Sequence, residues 1–193
     1  MKIDFVNIKK EIAKSNLYLD YDLITSMPVA GVYHIHEWDH GYVSGPGYNG
    51  RTRREFYLDL NEMLCFLQKY AVKRSISEFI VAPFHNINAF DVCDVNVDVY
   101  NEIKQFFKSY GVQSNSQAGV KLSIKENRVL EMILEGNFRG VSKLSILFPE
   151  RKVLVYPTHH MDLVFFAKNL DEEKNIVHAL LNEFINLKYY EKH

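Results

Sequence analysis

Cysteine is scarce in this chain: Cys65 and Cys93 are the only two in 193 residues. Two cysteines are no disulfide framework, and without a C-x-x-C pair there is no thiolate metal clasp. A reduced, cytoplasmic setting is the expectation. No apolar run approaches the ~18 residues that would cross a bilayer, and the opening MKIDFVNIKKEIAKSN lacks the apolar centre of a signal peptide. Charge of one sign is missing too. A formal net charge of −1 gives no field to gather nucleic acid or an anionic membrane, and the one dense basic run, Arg51, Arg53 and Arg54, is short. There is no G-x-S-x-G elbow, no H-E-x-x-H and no G-x-G-x-x-G, so serine nucleophile, helical zinc and dinucleotide sites have no sequence support. No internal repeat or sustained heptad emerges, which argues against a solenoid or coiled coil.

What is present is an ordinary globular composition, 47% apolar and 24% charged, unusually rich in aromatics with 12 Tyr and 13 Phe. At this length one domain with a full core over 1–193 is expected, with 114–119 (SNSQAG) the segment for a flexible joint if the chain has one. Gly31 to Thr52, GVYHIHEWDHGYVSGPGYNGRT, is the most unusual stretch. As a strand over 32–38 it sets Val32, His34, His36 and Trp38 on one face and Tyr33, Ile35 and Glu37 on the other. Histidines two apart lie ~7 Å from each other and can lean toward one ion, with Asp39 and His40 following. The order H-x-H-x-x-D-H is one residue longer than the H-x-H-x-D-H of metallo-β-lactamase-like hydrolases, and no later ligand series completes that site. Gly45 to Thr52 matches a phosphate-binding loop except for Arg51 in the lysine position, and no apolar strand ending in a carboxylate follows it. It reads as a Gly/Pro-rich turn between strand and helix.

Along the chain, Asp4 caps a short first helix through Phe5, Ile8 and Ile12. A helix from about Arg53 to Val72 follows the glycine loop, with Phe56, Leu60, Leu64, Leu67 and Ala71 inward and Glu55, Asp59 and Glu62 solvated. EFIVAPF (78–84) reads as a central strand ending at Pro83 beside His85. Asp91, Asp94 and Asp98 precede a helix with Val99, Ile103, Phe106, Phe107 and Tyr110 inward, closed by Gly111. Ser123 and Glu126 form a capping box for a helix through Val129, Leu130, Ile133 and Leu134, closed by Gly136. Three apolar runs, Lys143–Phe148, Lys152–Tyr156 and Asp162–Ala167, are separated by turns too short for anything but antiparallel neighbours, so they form a meander. A last helix, capped near Asn169 or Asp171, buries Ile176, Val177, Leu180, Leu181, Phe184 and Leu187, and leaves His178 in solvent.

The expected fold is therefore α+β: about five strands, mixed or mainly antiparallel, about five helices on one face, and the histidine loops at a sheet edge. Two functions from different classes follow. The first is a cytoplasmic protein-binding module of the immunity or inhibitor type, neutralising a toxin or regulating an enzyme, with Trp38, Tyr42, Tyr48, Arg51 and Arg53 as the contact set, because aromatic and arginine side chains anchor interfaces. It needs no cofactor; its partner is another protein, with no membrane or nucleic acid, and its oligomeric state is open. The second is a metal-dependent, phosphoesterase-like hydrolase. It requires His34, His36, Asp39 and His159 to hold a divalent ion such as zinc or manganese, with His160 or Asp162 as base. It depends on the His-rich strand lying beside the meander so that the two histidine clusters meet.

Overall fold

The computed structural model describes residues 2–3, 29–34, 52–83, 97–112, 119–167 and 169–192. Its elements in chain order are β1 (Lys2–Ile3), β2 (Val29–His34), α1 (Arg53–Lys73), β3 (Glu78–Pro83), α2 (Val97–Ser109), β4 (Gly119–Ser123), α3 (Asn127–Phe138), β5 (Leu144–Phe148), β6 (Val153–Pro157), β7 (Asp162–Ala167), α4 (Leu170–Leu181) and β8 (Leu187–Lys192). The eight strands make one sheet in the order β1-β4-β3-β5-β6-β7-β2-β8, and every pairing is antiparallel. The α+β class is as expected, with eight strands among the described residues rather than five, none of them paired in parallel.

The β5-β6-β7 meander forms with the tight connections that PER and PTHHM imply. The His-rich strand does lie beside it, since β2 pairs with β7. It is not an edge strand, because β8 covers its other side from Val29 to His34. The expectation of a helix reaching Leu187 fails here: α4 stops at Leu181, and Leu187 opens β8. In that strand Leu187, Tyr189 and Glu191 alternate with Lys188, Tyr190 and Lys192, a period-2 pattern.

Alternation along the strands divides the sheet into two faces. Val32, Phe79, Val81, Ile146, Phe148, Val155, Leu163 and Phe165 join one core cluster with Phe56, Leu60, Met63 and Leu67 of α1, Ile103 and Phe107 of α2, Leu130, Ile133 and Leu134 of α3, and Val177 and Leu180 of α4. The opposite face, with Ile80, Ala82, Leu147, Leu154, Val164 and Phe166, is buried as well, which explains why β3 and the meander read as nearly continuous apolar runs.

Helix ends follow local chemistry, not always at the expected residues. The capping box belongs to α1: Glu55 N donates to Thr52 Oγ1 at 3.3 Å and Thr52 N to Glu55 Oε2 at 2.9 Å, an arrangement worth about 1 kcal/mol. The box expected at Ser123 and Glu126 does not form, because Ser123 ends β4 and Glu126 makes no side-chain cap bond to α3. Gly136 does not close α3 either. The helix runs on to Phe138, and Gly140 at φ +68° follows it. Gly136 is instead a close-approach glycine: a Cβ there would lie 2.6 Å from Ile103 Cδ1 and 2.7 Å from Ser142 Oγ. Asn169 does cap α4, accepting from Glu172 N at 3.3 Å, and Gly111 follows α2 at φ +69°. Gly119 belongs to β4, so any joint is shorter than 114–119. The first helix expected after Asp4, His85 and the Asp91 and Asp94 segment lie outside the described residues.

Candidate functional site

His34 is the last residue of β2, and its side chain is fully buried on the helix side of the sheet. Its Nε2 is 2.9 Å from Glu62 Oε2 and 3.0 Å from Asp59 Oδ1. An ionised carboxylate only accepts, so Nε2 carries the proton and shares it between the two oxygens. Asn186 Nδ2 adds a further bond to Glu62 Oε2 at 3.2 Å. Asp59 and Glu62 are thus not the solvated residues that the helical wheel suggests. They are the acceptors that allow an imidazole to be buried, since a polar group withdrawn from water needs partners.

Asp162 stands on the other face. It pairs with Tyr33 across β2 and β7, so its side chain points away from His34, which is one residue further along β2. Thr158 Oγ1 donates to Asp162 Oδ1, and Tyr190 Oη donates to Asp162 Oδ2 at 2.8 Å. Burial pushes this carboxyl above its ordinary value, against the hydrogen bonds from Thr158 and Tyr190 and the nearby His160. Burial, reinforced by the Asp162 charge, also raises the Tyr190 hydroxyl. His160 N donates to Thr158 Oγ1 at 3.1 Å, and the rings of His159 and His160 stack 4.0 Å apart.

The structure therefore does not bring His34 and Asp162 together. The expectation that the two histidine clusters build one site fails for this pair, because neighbouring strand positions face opposite ways. Among the described residues no group of three or more His, Cys, Asp or Glu side chains is arranged to hold a metal ion. Of the expected contact set, Arg53 is exposed at the start of α1, 5.8 Å over the Tyr57 ring. Trp38, Tyr42, Tyr48 and Arg51, and the proposed ligands His36 and Asp39, lie outside the described residues.

Tyr190 depends on Gly31, which it crosses in the β2–β8 ladder. A Cβ on Gly31 would fall 2.3 Å from Tyr190 Cε1 and Cζ. Gly31→Ala is expected to swing the phenol off Asp162 and cost about 2 kcal/mol. Urea unfolding checks it: Tyr190→Phe should cost a similar amount, and the double variant should lose clearly less than the sum of the two, since both remove the same hydrogen bond.

A further surface, missed in the sequence reading, runs along the outside of α1. Opposite the buried Phe56, Leu60, Met63 and Tyr70 lie Leu58, Asn61, Cys65, Gln68 and Val72, spaced alternately by three and four. A surface helix ordinarily carries charge there; these five positions carry none. Leu58 is 61% exposed and Val72 79% exposed. The third exposed large apolar side chain among the described residues, Ile185 at 85%, lies beside the same helix. Its neighbour Phe184 stacks on Phe66 at 5.5 Å, and its neighbour Asn186 reaches Glu62. Between α1 and α4 an open groove is lined by Cys65, Val72 and Leu180, with Lys69 paired to Glu183 across it. Its signal in the sequence is an uncharged stripe of three- and four-residue spacing on the outward face of the helix.

No protein family matches the sequence, and comparison with curated proteins and with solved structures finds no significant match. No helix among the described residues is long and apolar enough to cross a membrane.

Proposed function

We propose that this chain is a protein-binding module that receives its partner on the outer face of α1. The observation that carries this reading is the uncharged seam along the outer face of α1, with Leu58 and Val72 well exposed at its two ends. Exposed apolar side chains scattered singly need no explanation, but a helix face without charge that runs beside an open groove marks an interaction surface.

Photo-crosslinking tests the reading in cells that express the full chain. A benzophenone side chain at position 58 or 72 is expected to form a discrete protein adduct, while the same group at the exposed Glu126 or Lys143 forms none. Equal labelling at all four positions, or none at any, would overturn it.

A further inference from the structure

We infer that the partner of the α1 face is a second copy of this chain, packed antiparallel across a two-fold axis beside Cys65. This rests on the reading of that face as a docking surface and names its occupant.

The argument is the self-complementarity of the seam. A two-fold interface sets one surface against itself in reverse. Read from either end, the seam runs apolar, amide, thiol, amide, apolar: Leu58, Asn61, Cys65, Gln68, Val72. With Cys65 on the axis, Leu58 of one copy meets Val72 of the other at both ends. Asn61 comes within one residue of register with Gln68, and two carboxamides can each donate and accept. The flank agrees. Glu62 and Lys69 border the seam on the same side, seven residues apart, and antiparallel packing sets Glu62 of one copy beside Lys69 of the other. A parallel pair would instead set them against Tyr57 and Leu64, which border the opposite side. Both charged residues already have partners within the chain, Glu62 with His34 and Asn186 and Lys69 with Glu183, so the contact would extend existing networks. A net charge of −1 sets little repulsion between copies.

From Leu58 to Val72 the seam is about 21 Å long at ~1.5 Å per residue. One helix of that length supplies less than the ~800 Å² per partner of a standard interface, so Ile185 and the groove toward α4 must share the contact. A dissociation constant on the order of micromolar is expected.

Sedimentation equilibrium on the purified full chain, from about 1 to 200 μM, is expected to rise from 22.6 kDa toward twice that mass. Leu58→Glu and Val72→Glu should each weaken association at least ~10-fold. Both positions are exposed, and an unchanged circular dichroism spectrum and melting temperature would show that the fold is intact. A short bis-maleimide reads the geometry. Cys65 should crosslink to Cys65. In a Cys65→Ser, Cys93→Ser background, Leu58→Cys and Val72→Cys should crosslink only when the two variants are mixed. A monomer at every concentration, or Leu58→Cys crosslinking to itself, overturns the inference. The photo-crosslinking above separates the failures: an adduct with a different protein leaves the binding reading standing and removes the dimer, whereas no adduct removes both.

Discussion

Asn137→Ala is expected to lower stability by about 4 kcal/mol. Asn137 is 1% exposed and lies one residue before the end of α3. Its Nδ2 donates to Leu144 O at 2.7 Å and Pro157 O at 2.8 Å, and its Oδ1 accepts from Ser142 Oγ at 2.7 Å and Leu144 N at 3.1 Å. A carboxamide has two donors and two acceptor lone pairs, so all four are used, and they tie the helix to β5 and β6 at once. Truncation leaves backbone groups of Leu144 and Pro157 buried without that partner, and each such group costs ~1–3 kcal/mol. Ser142→Ala removes one of the four bonds and is expected to cost about 1 kcal/mol. Urea unfolding of the two variants checks the ranking; equal losses would show that the network does not act through Asn137.

Arg74→Met is expected to cost about 3 kcal/mol near neutral pH. Glu173 on α4 is 2% exposed, yet it accepts from Tyr70 Oη and, at 2.7 Å, from Arg74 Nη2. Arg74 also pairs with Glu172 at 2.5 Å, and its carbonyl accepts from Arg151 Nε at 2.6 Å. Removing the guanidinium leaves a buried carboxylate with the Tyr70 hydroxyl in place of an ion pair, which is the expensive way to break such a pair. Burial already holds the Glu173 carboxyl above its ordinary value despite Arg74, and without Arg74 it rises further. A carboxyl whose folded pKa is raised favours the folded state below its unfolded pKa, and that favour is lost as pH rises through the folded pKa. The loss caused by Arg74→Met should therefore shrink on acidification toward the ordinary carboxylate range. Adding Glu173→Gln should recover most of it at neutral pH. Stability of the single and double variants across pH 4 to 8 is the measurement, and a loss independent of pH would remove the ion-pair explanation.

The elements that were legible share one property: their pattern is local. The stripe of α1, the apolar run of β3 and the three runs of the meander each announce themselves within their own residues, because a period of 3.6 or a turn of three to five residues leaves few alternatives. Strand β8 was less legible. Its six residues, LKYYEK, alternate, yet lysine and glutamate are unremarkable after an amphipathic helix, and what makes them a strand is pairing with Val29 to His34 across the length of the chain. The capping box shows the same limit. Thr52–Glu55 and Ser123–Glu126 both satisfy the spacing, and only the ladder of β4 with β3, which runs to Ser123, excludes the second.

The site divides along that line. Sequence alone determined that this is an α+β chain with no membrane-crossing run, that its chemistry-bearing residues concentrate around His34 and around His159 to Asp162, and that the second lies in the last turn of a meander. Only tertiary structure decided that β2 is enclosed between β7 and β8, that His34 turns toward Asp59 and Glu62 while Asp162 turns toward Tyr190, and that Leu58 and Val72 stay exposed on the outside of α1. The physical reason is strand register. Side chains alternate with a period of two, so a pairing that no local pattern specifies assigns each histidine and carboxylate to its face of the sheet.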